Sequence, residues 1–154
     1  MRTKKTLLIM RLAVFLLVIL TACQSSSSEN KSVAAISPVG TWTVTIAPET
    51  GPAFVNALQF SGDGTLINME NTGKVGLGVW QELSGDTYAI TFQEFFEDNG
   101  QFLHVKIRST IQLRPDNEQF SGPYVVEVTD LNGNPLDTDK GIATGIKQHV
   151  EPMP

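Results

Sequence analysis

The chain has 154 residues, with 11 Lys and Arg against 16 Asp and Glu for a net charge of −5, two histidines and one cysteine. That length holds one domain, and a lone cysteine leaves no disulfide within the chain, so the fold must rest on burial. The acidic balance repels phosphate backbones and anionic lipid heads, which argues against nucleic acid as a partner.

Residues 1–22 divide in the manner of an export signal. Arg2, Lys4, Lys5 and Arg11 supply positive charge, Leu12 to Leu20 is an unbroken apolar run, and the small residues Thr21 and Ala22 precede Cys23. A spanning helix needs about 20 predominantly apolar residues, and Arg11 interrupts the longer stretch, so a removed leader is expected rather than a stable span. The tetrad Leu20-Thr21-Ala22-Cys23 resembles the lipobox of bacterial lipoproteins. That resemblance implies cleavage before Cys23, a diacylglycerol on its sulfur, acylation of the new amine, and a membrane as partner through that lipid. Each buried acyl methylene contributes roughly 0.8 kcal/mol, so several chains on one cysteine hold durably. Without its leader the chain keeps seven Lys and Arg against 16 acids, a net charge of −9. Residues 23–37, rich in serine and small polar groups, bury too little surface to order themselves and are expected to be a flexible tether. Gln24 stands where an aspartate, in lipoproteins of two-membrane bacteria, goes with inner-membrane retention. The resemblance thus implies an extracytoplasmic, envelope-anchored protein, on the outer membrane where one exists.

From Pro38 to the end, residues 38–154, the pattern is strands and turns. Thr41 to Ile46 alternates, placing Trp42, Val44 and Ile46 on one face. Phe54 to Phe60 follows, closed by Ser61-Gly62-Asp63-Gly64, then Thr65 to Glu70, then Gly76 to Leu83 ending at Ser84-Gly85-Asp86. Thr87 to Phe95 sets Tyr88, Ile90 and Phe92 against Ala89, Thr91 and Gln93. In the sixth strand Leu103, Val105, Ile107, Ile111 and Leu113 share a face. Gln119 to Thr129 is the seventh, with Phe120, Tyr124, Val126 and Val128 in register, and Lys140 to Val150 is the eighth. The leader aside, no stretch carries a clear helical stripe. Eight short strands joined by tight turns predict an all-β domain, an eight-stranded antiparallel up-and-down barrel that removes its edges by closing. A β-sandwich of two sheets shares the same periodicity.

Gly40-Thr41-Trp42 at the head of the first strand resembles the Gly-x-Trp signature of the lipocalin and fatty-acid-binding-protein superfamily, the calycins. The resemblance implies a lipocalin-like barrel with Trp42 plugging its closed end, a basic residue of the last strand (here Lys147) across the ring, and a cavity for a small apolar molecule. Lysine stands where arginine is usual, and Thr129-Asp130-Leu131-Asn132-Gly133 has the family's Thr-Asp pair but not its aromatic. The chain also resembles bacterial lipocalin-like proteins and barrels of the allene-oxide-cyclase and dirigent type.

Chemistry is sparse. His104 falls on the polar side of its strand and His149 in the tail, neither at a metal-ligand spacing, so no metal or other cofactor is expected. Glu94, Glu97 and Asp98 gather beside Phe95 and Phe96; a carboxyl among rings can become a raised-pKa acid, although a charged turn accounts for them equally. The two phenylalanines must point to opposite faces, leaving one at the rim. Asp137, Asp139 and Lys140 read as a polar turn, and Gly76, Gly78, Gly141 and Gly145 as bends at barrel corners. If a cavity exists, Trp80, Tyr88, Phe92 and Tyr124 are its expected lining, apolar bodies with polar tips. No catalytic set is identifiable, so a carrier of a small apolar ligand is expected. The alternatives are a solid barrel that contacts an envelope protein and, behind it, an isomerase or cyclase.

Overall fold

A computed structural model describes residues 36–153 of the chain. The leader, the lipobox, Cys23 and most of the tether lie outside the described residues.

Eight antiparallel strands follow one another: β1 (Gly40–Pro48), β2 (Phe54–Phe60), β3 (Thr65–Glu70), β4 (Val75–Ser84), β5 (Thr87–Asp98), β6 (Gln101–Leu113), β7 (Gln119–Asp130) and β8 (Pro135–Lys147). Each pairs with the next, and β1 pairs with β8 from Trp42 opposite Lys147 to Pro48 opposite Gly141, which closes the barrel. Closure leaves no free row of strand amides, the hazard of any open sheet. The expected eight-stranded antiparallel up-and-down barrel is the architecture found, and the two-sheet sandwich is excluded.

The alternation read from the sequence sets the inward face. Trp42 and Val44 of β1, Leu58 and Phe60 of β2, Leu66 of β3, Tyr88 and Ile90 of β5, and Ile111 and Leu113 of β6 are all buried. Turn chemistry holds the register: the Asp63 carboxylate accepts from the Thr65 amide at 3.0 Å, and Asp130 accepts from the amides of Asn132 and Asn134 at 2.8 and 2.9 Å.

One end is filled. Trp42 is fully buried, its ring centroid 5.0 Å from that of Phe120 and 6.5 Å from that of Phe60. Such aromatic pairs add about 0.5–1.5 kcal/mol each beyond their burial. Lys147 Nζ stands 5.4 Å from the centre of the Trp42 ring, the basic partner that the calycin resemblance implied. The segment before β1 crosses beneath this plug. Trp42 Nε1 donates to the Pro38 carbonyl at 2.7 Å, and the Tyr88 hydroxyl donates to the Ile36 carbonyl at 2.5 Å. Ile36, placed by composition in the tether, packs against the core.

The eighth strand differs from expectation. It begins at Pro135 and ends at Lys147, not at 140 and 150, so Asp137, Asp139 and Lys140 belong to a strand and not to a turn. Pairing decides this: Asp137 lies opposite Val128 and Asp139 opposite Val126, so backbone bonds to β7 order a segment with no apolar alternation of its own.

Candidate functional site

The open half of the barrel holds a cavity of about 240 Å³. Its floor is Phe120, Leu58 and Ile111, against the aromatic plug, and Ile90, Phe92, Val105 and Ile107 form much of its wall. Local sequence makes this room. An added Cβ at Gly145 would stand 2.2 Å from the Phe120 ring, and one at Gly76 would stand 2.8 Å from both Phe92 Cδ2 and Glu94 Cγ. These glycines are read in the sequence as bends; in the barrel, each leaves the space that a neighbouring side chain lies across.

Of the four predicted lining residues, Phe92 and Tyr124 face the cavity. Trp80 and Tyr88 do not. Their rings, 5.8 Å apart, join the closed-end cluster, and their polar tips are already bonded to backbone: Trp80 Nε1 to the Ser61 carbonyl at 2.9 Å, Tyr88 to Ile36. Alternation assigns a residue to the inside but not to a level along the barrel axis, and both sit at the wrong level. Burial, with Glu82 and Asp86 nearby, also raises the Tyr88 pKa.

The polar side of the cavity is a ladder of side chains running across three strands. Asn56 of β2 donates through Nδ2 to Asn68 Oδ1 of β3 at 3.3 Å, and Asn68 Nδ2 donates to Glu94 Oε1 of β5 at 2.6 Å. The last bond passes over β4, where Gly76 presents no side chain. Glu94 is only 2% exposed, and its pKa is pushed up to about 7, first by burial and then by the Glu70 carboxylate, against the opposing pull of the Asn68 amide and Lys74. Asn56 Oδ1 is buried with no partner among the described residues. On the far wall the Tyr124 hydroxyl donates to Asp139 Oδ2 at 3.4 Å, and burial and that carboxylate push its pKa up to about 12.

Glu94 was within reach of the sequence. Carrying the β5 alternation past Phe92 by two residues places it inside; Glu97 and Asp98, read in the sequence as a charged turn, instead end β5, paired with Phe102 and Gln101 of β6. Asn56 and Asn68 hold inward positions of β2 and β3 in the same way, and a polar residue in an apolar row was the signal. Phe95 and Phe96 do point to opposite faces. Phe95 lies outside, stacked on His104 at 4.8 Å, and Phe96 sits at the rim with Lys74 Nζ 3.2 Å from its ring centre. His149 pairs with Glu118. Among the described residues, no group of three His, Cys, Asp or Glu side chains is placed to hold a metal ion.

No protein-family model matches the chain, and no curated protein does. A solved structure described as EF1p2_mFAP2b bound to DFHBI matches with a TM-score of 0.52 and 20% identity, covering 71% of this chain and 93% of that one. At that identity the likeness is one of fold.

Proposed function

We propose that this chain is a binding protein, a lipocalin-like barrel that holds a small, mainly apolar molecule in its open half and is tethered to the cell envelope by lipid on Cys23. The observation that carries the reading is the void itself: one end of the barrel is packed solid around Trp42, while above it about 240 Å³ stays open against Phe92, Ile107 and Val126. An engineered apolar cavity of about 150 Å³ takes up benzene, and drug-sized pockets begin at about 300 Å³, so the occupant is of one ring or a short branched chain. The matched barrel, in its solved structure, is bound to DFHBI, which supports a small ligand in this architecture. The polar groups facing the void are acids, amides, a phenol and the Ser109 hydroxyl, which donates to the Pro123 carbonyl, with no imidazole or thiol beside them among the described residues, which supports binding over catalysis.

Thermal unfolding of the full chain with toluene or cyclohexane tests the cavity. A ligand at 100 times its Kd stabilises by about 2.7 kcal/mol, so saturating hydrocarbon raises Tm by several degrees; an unmoved Tm up to aqueous saturation refutes the reading. For the anchor, radiolabelled palmitate should be incorporated by the wild type and not by Cys23→Ser. Label retained in that variant would remove the lipoprotein assignment.

A second reading, the envelope interaction protein, gains from the outer face of β3 and β4. There Ile67 lies opposite Leu77 and Met69 opposite Val75, all exposed. Site-specific crosslinking from Leu77 in cells separates the two readings: a single defined adduct favours the partner.

A further inference from the structure

We infer that the cavity is built for a molecule whose polar end is a protonated amine, an apolar body of about one ring carrying an ammonium group that docks between Asn56 and Glu94. The inference rests on the binding reading above and names the ligand class for that site.

Three observations carry it. First, Asn56 is 7% exposed, lines the void, and its Oδ1 accepts nothing among the described residues. A buried acceptor left open costs about 1–3 kcal/mol, and a ligand N–H that reached it would remove that cost. Second, the neighbouring groups ask for donors as well. Glu94 takes one hydrogen bond from Asn68, Glu70 lines the cavity beside it, and Asp139 lines the far wall. Third, no lysine or arginine lines the cavity among the described residues. The nearest cation, Lys74, is held at the rim over the Phe96 ring. A carboxylate ligand would meet three acids and an open carbonyl oxygen, each a repulsive or unpaired contact. An ammonium offers three donors to the same set.

The groups packed around Glu94 make the preference depend on pH. It is faced by Asn68 and Glu70 from β3 and by Lys74 from the loop that follows, β4 presents only Gly76, and β6 places Val105 opposite it. With its pKa near 7, Glu94 is largely neutral at pH 6 and ionised at pH 8.5. Primary alkyl amines remain protonated across that interval, as lysine does with a pKa of roughly 10.4. Amine affinity therefore rises with pH, by at least about fivefold, as the contact of an ammonium with a neutral carboxyl becomes an ion pair.

Calorimetric titration of the full chain with three molecules of one shape tests this: cyclohexylmethylamine, cyclohexylmethanol and cyclohexanecarboxylate. The expected order at pH 8.5 is amine, then alcohol, then carboxylate, with at least tenfold between first and last. The amine is expected to tighten from pH 6 to 8.5 by more than the alcohol does. Glu94→Gln should remove the pH dependence, and Asn56→Leu should weaken the amine and the alcohol but not methylcyclohexane, which also reports that each variant still folds and keeps its cavity. Methylcyclohexane bound by the wild type with no preference for the amine, or with the carboxylate favoured, overturns the inference and leaves the binding reading standing. If none of the four binds, both fall.

Discussion

Replacing Glu94 by glutamine should stabilise the barrel at neutral and alkaline pH, and by an amount that can be worked out. An exposed glutamate has a pKa of 4.5, and in the folded chain Glu94 is pushed up to about 7. Between those values the folded state keeps a proton that the unfolded chain has released. Stability therefore falls as pH rises through that window and is level on either side of it. Each pKa unit is worth about 1.4 kcal/mol, so the ionised carboxylate costs the fold about 3 kcal/mol above pH 7. Glutamine has the same shape, keeps an oxygen to accept from Asn68, and never ionises. At roughly 4 °C per kcal/mol for a domain of this size, Glu94→Gln should melt about 10 °C above the wild type at pH 8 and within a few degrees of it at pH 5. The assay is circular dichroism melting of both proteins at half-unit steps from pH 4.5 to 8.5, taken as a difference so that other titrations cancel. A Tm difference that is flat across the range, or one that shrinks toward alkaline pH, would refute the burial argument for Glu94.

Gly76→Ala should lower stability by about 1–3 kcal/mol in urea, because its new methyl lies 2.8 Å from Glu94 Cγ and Phe92 Cδ2 and must push both aside, Glu94 off Asn68; it should also weaken ligand binding. Tyr88→Phe should reduce the urea midpoint and leave affinity for any cavity ligand unchanged, whereas Tyr124→Phe should shift that affinity, the two hydroxyls serving the plug and the void respectively. Trp42→Ala should cost about 3–5 kcal/mol as a large cavity opens in the plug, and Lys147→Ala only about 0.5–2 kcal/mol for a half-buried cation over a ring. Equal losses from those last two, measured by denaturant unfolding, would mean that the lysine does more than cover the indole.

Much of the fold was legible because strands of period two carry their own inside and outside. Seven of the eight strands lie within a few residues of where alternation and turn residues place them, and Trp42 with Lys147 takes the positions that the Gly-x-Trp resemblance implied. The eighth strand shows the limit of that signal. Its first half, Pro135 to Lys140, has no apolar alternation and becomes a strand through pairing with β7. The candidate site was half legible. Phe92 and Tyr124 reach the cavity, but Trp80 and Tyr88 do not, since the same inward parity serves both the packed end and the open one.

The amino-acid order alone determined which side chains turn inward, where the chain reverses and, through residues 20–23, the expectation of a lipid anchor. Tertiary structure decided what those inward side chains do. Closure of β1 on β8 fixes the stagger of the strands, and the stagger sets each inward residue's height along the axis. That height puts Trp80 and Tyr88 in the plug, and it brings Asn56, Asn68 and Glu94, 38 residues apart from first to last, into one hydrogen-bonded row. Periodicity has a direction but no altitude, so neither the void nor its polar wall exists until the cylinder is shut.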